Sequence, residues 1–262
     1  MAPAAQPNRG ALSSQAELLE LLETLYNSSN PTRRWLHCTR RDWIIARIRE
    51  HANQRSGRGI EIGFGAGVYL PTLAECFSAV FATDLDQAHL DHARPLAMRY
   101  PNLQLVADDI TTSRLPAGTL DFVLCSEVLE HIPDTPRVLA GIHKLLKPGG
   151  VLLLSTPQRH SLMEFACKVA FLPGVIGLVR KIYREPVFET GHINLKTASE
   201  LQAALVAEGF TIRESFKSGL YIPLLAEFGG SVGQRIAHRI ENRIRRGPLS
   251  FALWTQYYLV QA

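Results

Sequence analysis

The run SEVLEHIPD places Glu127, Glu130 and His131 at i, i+3 and i+4. On a helical turn that spacing brings two carboxylates and an imidazole to one face. Such a group has two uses. It can surround a divalent cation with oxygen and nitrogen donors, or His131 alone can take the proton from a hydroxyl about to become a nucleophile. The sequence is read first with His131 as the base, and second with Glu127, Glu130 and His131 as ligands of a metal ion. His192, in TGHIN, stands in a loop from which it can reach the same acceptor or make a plain hydrogen bond.

Upstream, GIEIGFGAGVYL packs Gly63, Gly65 and Gly67 into five positions straight after a short apolar run. Glycine reaches positive φ and lets another molecule approach the backbone, at a cost of about 0.5–1 kcal/mol relative to Ala in a regular element. RGIEI reads as a strand and AGVYLPTLAECF as the helix after it. The glycines then lie at a strand-to-helix turn whose free N–H groups face outward, where a small molecule can sit. Taken alone, they are also compatible with an ordinary tight turn.

Asp84 closes the apolar run AVFATD, 21 residues after Gly63, and can accept both hydroxyls of a ribose. A dinucleotide fingerprint needs glycine at position 68, where Val68 stands, and Glu61 just ahead of the glycines repels a pyrophosphate. The same carboxylate attracts an ammonium. These groups suit a cofactor with a ribose, an adenine, a zwitterionic amino-acid tail and no phosphate.

From residue 58 on, the β-rich runs GIEIG, AVFATD, LQLVAD, DFVLCS and GVLLLST are mostly separated by helical ones, which gives a parallel sheet covered on both faces. KLLKPGG closes a helix at Pro148 and turns into the last of these strands. Earlier, AELLELLETLY shows Leu18, Leu21, Leu22 and Leu25 on one helical face, and a second helix runs through Trp43, Ile44 and Ile48. Past Thr156 come a helical insertion to about Glu185, the helix TASELQAALVAEGF, the strand TIRESFK, a basic helix and a last strand FALWTQYYLV. Three parts are expected: a helical extension (1–57), an α/β core (58–157), and a helical lid with the final strands (158–262).

Over residues 58–157, EIGFGAG, ATDLD, VADDI, LDFVLCSEVLEHIPD and LLKPGGVLLLSTP stand in the order and approximate spacing of the class I S-adenosylmethionine-dependent methyltransferases, and the chain resembles that family. The resemblance implies a Rossmann-like seven-stranded sheet with FALWTQYYLV as its antiparallel last strand. It implies S-adenosylmethionine as cofactor and S-adenosylhomocysteine as product. Gly63 and Gly65, with Gly67 in the same loop, would underlie the methionine and ribose portions, and Glu61 would face the amino end. Asp84, with Leu85 beside it, would hold the ribose hydroxyls. Asp109 rather than Asp108 would contact the adenine, with Ile110 against the ring, and Cys125 and Ser126 would line the sulfonium end.

More loosely, the chain resembles the ubiquinone-pathway O-methyltransferases. There, as in small-RNA 2′-O-methyltransferases, an E-x-x-E-H segment is associated with metal, although EVLEH also occurs in methyltransferases without one. The apolar insertion, the His-bearing loop and SGLYIPL follow the same branch, whereas GGSVGQRIAHRIENRIRRGPLS has no counterpart in it. The expected reaction is methylation of an oxygen on a small, largely apolar acceptor, whether quinone-like, phenolic, lipid or natural product. Methylation at carbon or nitrogen, of a natural product or an RNA, is an alternative, as is a non-catalytic cofactor-binding partner of another enzyme. Because sulfonium already activates the carbon, positioning supplies much of the acceleration, and only a hydroxyl acceptor calls for a base or Lewis acid.

Hydrophobic residues make up 46% and charged residues 20% of 262 positions, a globular composition long enough for one large core. Cys38, Cys76, Cys125 and Cys167 are dispersed, with no C-x-x-C pair, which suits a reducing compartment and argues against zinc and disulfides. MAPAAQPNRGALSSQ has no apolar signal core, so the expected location is cytoplasmic, with peripheral membrane contact as an option. The stretch FACKVAFLPGVIGLV carries Lys168 and Pro173 and falls short of the roughly 20 apolar residues that span a bilayer. Net charge is +4 and the pI about 9.0, with basic residues gathered in 33–50 and 234–246. In the second group Ile236, Ile240 and Ile244 form one stripe and Arg235, Arg239 and Arg243 its neighbour. Docking of the isoleucines on the sheet is expected, and an anionic membrane surface is the alternative. Nucleic acid is not expected, because no aromatics interleave with the arginines.

Overall fold

The computed structural model of the chain describes residues 26–52, 56–172, 174–183 and 191–262. At the centre of its sheet, β1 (Arg58–Ile62) pairs in parallel with β2 (Ala79–Asp84) on one side and β4 (Leu120–Ser126) on the other. Outside these lie β3 (Leu103–Ala107) and β5 (Leu146–Pro157), both also parallel. The antiparallel β7 (Thr255–Gln261) sits between β5 and β6 (Thr211–Ser218), which gives seven strands in the order β3-β2-β1-β4-β5-β7-β6. Strand order reverses between β1 and β4. In such sheets the crevice beyond the carboxyl ends at that point is where ligands bind.

The described helices are α1 (Pro31–His51), α2 (Leu70–Cys76), α3 (Gln87–Arg99), α4 (Thr135–Leu145), α5 (Leu162–Ala170), α6 (Ile176–Tyr183), α7 (Ala198–Ala207), α8 (Pro223–Phe228) and α9 (Gly230–Ile244). Alternation along β4 sorts the core into two layers. Val123 and Cys125 join Ile60, Ile62 and the α4 residues Val138 and Ile142, while Phe122 and Leu124 join Ile44 and Ile48 of α1 with Leu70 and Leu73 of α2. Because both faces are covered, the central strands read as nearly continuous apolar runs.

Several expected elements shift. The leucine-rich run ending at Leu25 lies outside the described residues. The helix before β5 stops at Leu145, and Pro148 falls inside the irregular start of the strand, where the pairing register with β4 slips between Leu120 and Phe122. The last strand begins only at Thr255, since Phe251 and Ala252 end a 3-10 turn spanning Pro248–Ala252. The apolar insertion is broken into α5 and α6, with Pro173 and residues 184–190 outside the described part.

The larger correction concerns α9, whose buried stripe is Gly233, Ala237 and Glu241, not the isoleucines. Gly233 lets α8 come close, since a Cβ there would stand 2.4 Å from the Leu225 carbonyl oxygen. The Glu241 carboxylate accepts the Gly219 and Leu220 amides at 2.9 Å each and pairs with Arg245 at 2.6 Å. This buried acid fixes the rotation of the helix and leaves Ile236 exposed. The basic stretch 33–50 is not a free patch either, because Arg33, Arg40 and Arg47 pair with Glu227, Glu127 and Glu214 from distant elements. No described helix is long and apolar enough to cross a membrane.

Candidate active site

The loop after β1 carries three positive φ angles, 63° at Gly63, 52° at Gly65 and 71° at Gly67. Two of these glycines serve different ends. A Cβ at Gly63 would lie 2.6 Å from Val128 Cγ2, so that glycine lets the loop pack, whereas a Cβ at Gly65 would meet nothing within 4 Å. Gly65 is where another molecule can approach the backbone. The loop is laced to β2: the Gly63 amide donates to the Thr83 carbonyl at 2.7 Å and the Gly65 amide to Asp84 Oδ2 at 3.0 Å.

Asp84 Oδ1 also accepts the Asp86 amide at 3.0 Å. His89 Nδ1 lies 3.0 Å from Oδ2, at an angle that leaves the nitrogen without a hydrogen bond. Burial pushes the Asp84 carboxyl up, but His89 and the Asp86 and Gly65 amides outweigh it and hold the group below its ordinary value. Asp84 is therefore ionised at neutral pH and suited to accept hydroxyls. Glu61, at the end of β1, is buried, and its Oε2 has no hydrogen-bond partner. Burial first and Asp84 second raise its carboxyl well above the usual range. An acid in this state is costly until a cation or donor reaches it. The donor set thus fits a ligand with a positive amino end and a diol.

At the end of β3, Asp109 Oδ1 is committed to Thr111, accepting its amide and its hydroxyl at 2.8 Å each. Among the described residues Asp108 accepts only the Arg114 amide, at 3.4 Å, so it is the freer carboxylate of the two. Ile110 is buried in the core with Ile142, which leaves little of it for a ring. Leu85, beside Asp84, is 73% exposed and offers an apolar surface at the same place. Cys125 departs from its expected role. Its side chain is fully buried in the core, and burial drives the thiol far above its ordinary value, so it does not line an open cleft. Ser126 stays half-buried, with its hydroxyl 2.9 Å from that of Ser155.

The chain leaves β4 through Glu127 at φ 58°, which among the described residues is the one positive φ outside glycine. That conformation is sparsely populated for a side chain of this size and persists when its surroundings fix it. They do so here. The Glu127 amide donates to the Ser155 carbonyl at 2.9 Å, Ser155 Oγ donates to Oε1 at 2.9 Å, and Arg40 Nη1 donates to Oε2 at 2.6 Å. Arg40 comes from α1, is buried, and lies 5.5 Å from the centre of the Trp254 ring. The helical turn expected over SEVLEH shrinks to a 3-10 turn, Leu129–His131. Glu127 therefore does not converge with Glu130 and His131.

His192 takes its place. Atoms of Glu130, His131 and His192 able to bind a metal ion all lie within 4.8 Å of one another. The Glu130 carbonyl accepts the Ile193 and Asn194 amides at 3.0 Å each, and Asn194 Nδ2 donates to the Ile132 carbonyl and to Thr135 Oγ1. These bonds clip the loop onto the turn and set the two imidazole centres 5.4 Å apart. Thr156 Oγ1 donates to Glu130 Oε2 at 2.9 Å, while Oε1 is buried without a partner, 4.0 Å from His131 Nε2. Burial, with Glu127 next, pushes the Glu130 carboxyl well up. Burial and His192 lower His131, which is neutral at pH 7 and contacts the Gly191 carbonyl through Nδ1. His192 Nδ1 meets Glu164 Oε1 of α5 at 3.1 Å, and Trp254 Nε1 donates to that same oxygen at 3.3 Å. Each imidazole thus spends Nδ1 on a neighbour, and among the described residues neither Nε2 has a hydrogen-bond partner, which leaves it to take a proton or to bind a cation together with Glu130.

Residues 13–215 match the model of a family described as a methyltransferase domain. The chain belongs to the class I S-adenosylmethionine-dependent methyltransferases. Among its relatives is a Mycolicibacterium smegmatis protein named as an S-adenosylmethionine-dependent methyltransferase, 27% identical over 79% of this chain and 71% of its own. A ubiquinone biosynthesis O-methyltransferase of Pseudomonas aeruginosa is 34% identical over 43% of this chain, a match that spans 50% of that protein. In fold, the methyltransferase is similar to the [4+2]-cyclase SpnF, with a TM-score of 0.61 at 14% identity over 94% of this chain and 91% of the other. A shared fold therefore leaves the chemistry to the site.

Sequence reasoning missed Arg40, Ser155, Thr156, Glu164 and Trp254. Arg40 stands in a run of basic residues with nothing to set it apart. Glu164 did carry a signal, as the lone acid in the apolar segment LMEFACKVAF.

Proposed function

We propose that the enzyme methylates an oxygen of a small, largely apolar acceptor, with His131 and His192 receiving the acceptor's proton. The observation that carries this reading is the pair of imidazoles with free Nε2 atoms beside the β4 end of the cleft, one of them held by Glu164. S-adenosylmethionine, when bound, supplies a methyl group already activated by sulfonium. The chain's own part is to hold, orient and deprotonate. Asp84 accepts the ribose hydroxyls, Gly65 admits the cofactor against the backbone, Glu61 takes the amino end, Ser126 borders the sulfonium end, and Asp108 in place of Asp109 meets the adenine beside Leu85. A neutral His131 is a competent base at pH 7. Apolarity of the acceptor is supported by α5, which carries Glu164 on one side and on the other lines a cavity of about 430 Å³ with Phe165, Val169, Leu224 and Phe228. The ubiquinone O-methyltransferase relatives point the same way. A second reading, favoured by the unpartnered Glu130 Oε1, has Glu130, His131 and His192 hold a divalent cation that binds the acceptor oxygen.

Enzyme incubated with isotope-labelled methyl donor and cell extract should place label in an apolar product as a methoxy group, identified by mass spectrometry. Label on nitrogen or carbon, or confined to RNA, would overturn the oxygen assignment.

The state of Glu61 gives a second expected result. Burial raises the Glu61 carboxyl and an arriving ammonium would draw it back down, so binding S-adenosylhomocysteine should release protons over the pH range between those two states. Binding enthalpies measured in buffers of different ionisation enthalpy should fall on a sloping line, and Glu61→Gln should flatten it. Equal slopes for the two proteins would remove Glu61 from the amino-end contact.

A further inference from the structure

Rotation of α9 around its buried Glu241 sets a particular surface in water. Val232, Ile236, Arg239 and Arg243 follow i, i+4, i+7 and i+11, so they share one stripe, and all four are exposed. Arg235 lies beside them and Arg246 follows the helix. Glu241 is the one acid that α9 carries, and it is buried against the Gly219 and Leu220 amides. The exposed face therefore has a single sign, and among the described residues none of Arg235, Arg239 and Arg243 has an acidic partner. The apolar part continues beyond α9. Leu224 and Phe228 of α8 are 76% and 71% exposed, and with Phe165 and Val169 of α5 they edge the cavity described above. More than half of the large apolar side chains exposed among the described residues fall on α5, the turn after it, α8 and α9. Clustering on this scale marks an interaction surface.

We propose that this face docks on an anionic lipid surface, with Phe228, Val232 and Ile236 entering the headgroup boundary and the arginines reaching lipid phosphates. Arginine suits the geometry, because its stem can lie along apolar surface while the guanidinium stays at the polar level. Charge complementarity selects an anionic bilayer over a second copy of the chain, which would bring the same arginines face to face. A nucleic acid would use the arginines but gain nothing from Val232 and Ile236. The docking does not depend on the acceptor's identity. That it sets the cavity between α5 and α8 at the bilayer, the phase that holds an apolar acceptor, does rest on the reading above.

The test is sedimentation of the full chain with phosphatidylcholine vesicles, with and without phosphatidylglycerol. Binding to the anionic vesicles should be about tenfold stronger or more and should weaken as salt is raised. Two variants separate the contributions: Arg235→Gln/Arg239→Gln/Arg243→Gln, and Val232→Ser/Ile236→Ser. Each should lose about tenfold or more in vesicle affinity while keeping the circular dichroism and S-adenosylhomocysteine affinity of the parent. Equal binding to neutral and anionic vesicles, or variants that bind like the parent, would overturn the proposal. So would a face that proves to hold a second copy, shown by a dimer that Val232→Ser/Ile236→Ser dissociates with vesicle binding unchanged. RNA binding lost in the arginine variant alone, without vesicle binding in the parent, would overturn it as well. Loss of acceptor turnover with vesicle binding intact would strike the acceptor reading and leave the docking surface standing.

Discussion

Asp84→Ala should weaken S-adenosylhomocysteine binding at least tenfold, to about a hundredfold, with the fold intact. Hydrogen bonds to a charged group are worth about 1.5–3 kcal/mol each, and Asp84 has a free lone pair for each hydroxyl of a ribose. The change also cuts the tether from the Gly65 amide to Oδ2, so the loop that must admit the cofactor loses its anchor. Folding tolerates the loss, because the Gly65 and Asp86 amides released by it lie at the cleft, where water can replace the carboxylate. Asp86 makes the natural control. Its Oδ1 caps α3 by accepting the Ala88 amide at 2.8 Å, so Asp86→Ala should cost about 1 kcal/mol of stability and little affinity. Calorimetry with S-adenosylhomocysteine and thermal unfolding of both variants separate the two outcomes. An unchanged dissociation constant in Asp84→Ala would take the ribose contact away from this residue.

The parts of this site that were legible in the sequence are those whose chemistry is local. Glycines at positive φ, an acid closing β2 and strands buried on both faces each leave a mark within a few residues. The assembly around Glu130 leaves none. Helical spacing of Glu127, Glu130 and His131 suggested a common face, but a residue leaving a parallel strand must turn sharply, and here Glu127 does so in the left-handed region. What holds it there is Arg40, 87 residues earlier in the chain. His192 reaches His131 only because the Glu130 carbonyl happens to be free for two loop amides. On α9 the apolar periodicity was real but misleading. One buried carboxylate with two amide donors outweighed the three isoleucines in setting which side faces inward. Long-range polar pairs of this kind have no sequence period, so they appear only when the chain is folded.

The same cluster decides how the enzyme would activate a hydroxyl, and the two possibilities predict opposite responses. If His131 is the base, its neutral form is the active one. Burial and His192 lower its pKa below 6.5, so activity should be full at neutral pH and fall only as the pH drops through that lowered value. The neutral form is also favoured by folding, so whatever stability His131 contributes is complete above pH 6.5 and declines as pH falls below it. His131→Ala should then lower kcat by about a hundredfold or more, the usual scale for a general base, with S-adenosylhomocysteine affinity unchanged and chelators without effect. Glu164→Gln should act through His192, lowering kcat more than it raises KM, because the neutral amide still meets Nδ1 but no longer stabilises an imidazolium. If Glu130, His131 and His192 instead hold a cation, chelation should abolish turnover and Mg²⁺ or Mn²⁺ restore it, and Glu130→Gln should be as damaging as His131→Ala. Glu127→Ala separates the readings further. Its carboxylate is spent on Arg40 and Ser155, so under either mechanism the loss should fall first on thermal stability, through the uncompensated buried guanidinium. Activity that survives both histidine substitutions and chelation would mean an acceptor that arrives already ionised or reacts through nitrogen, and the oxygen assignment would fall with it.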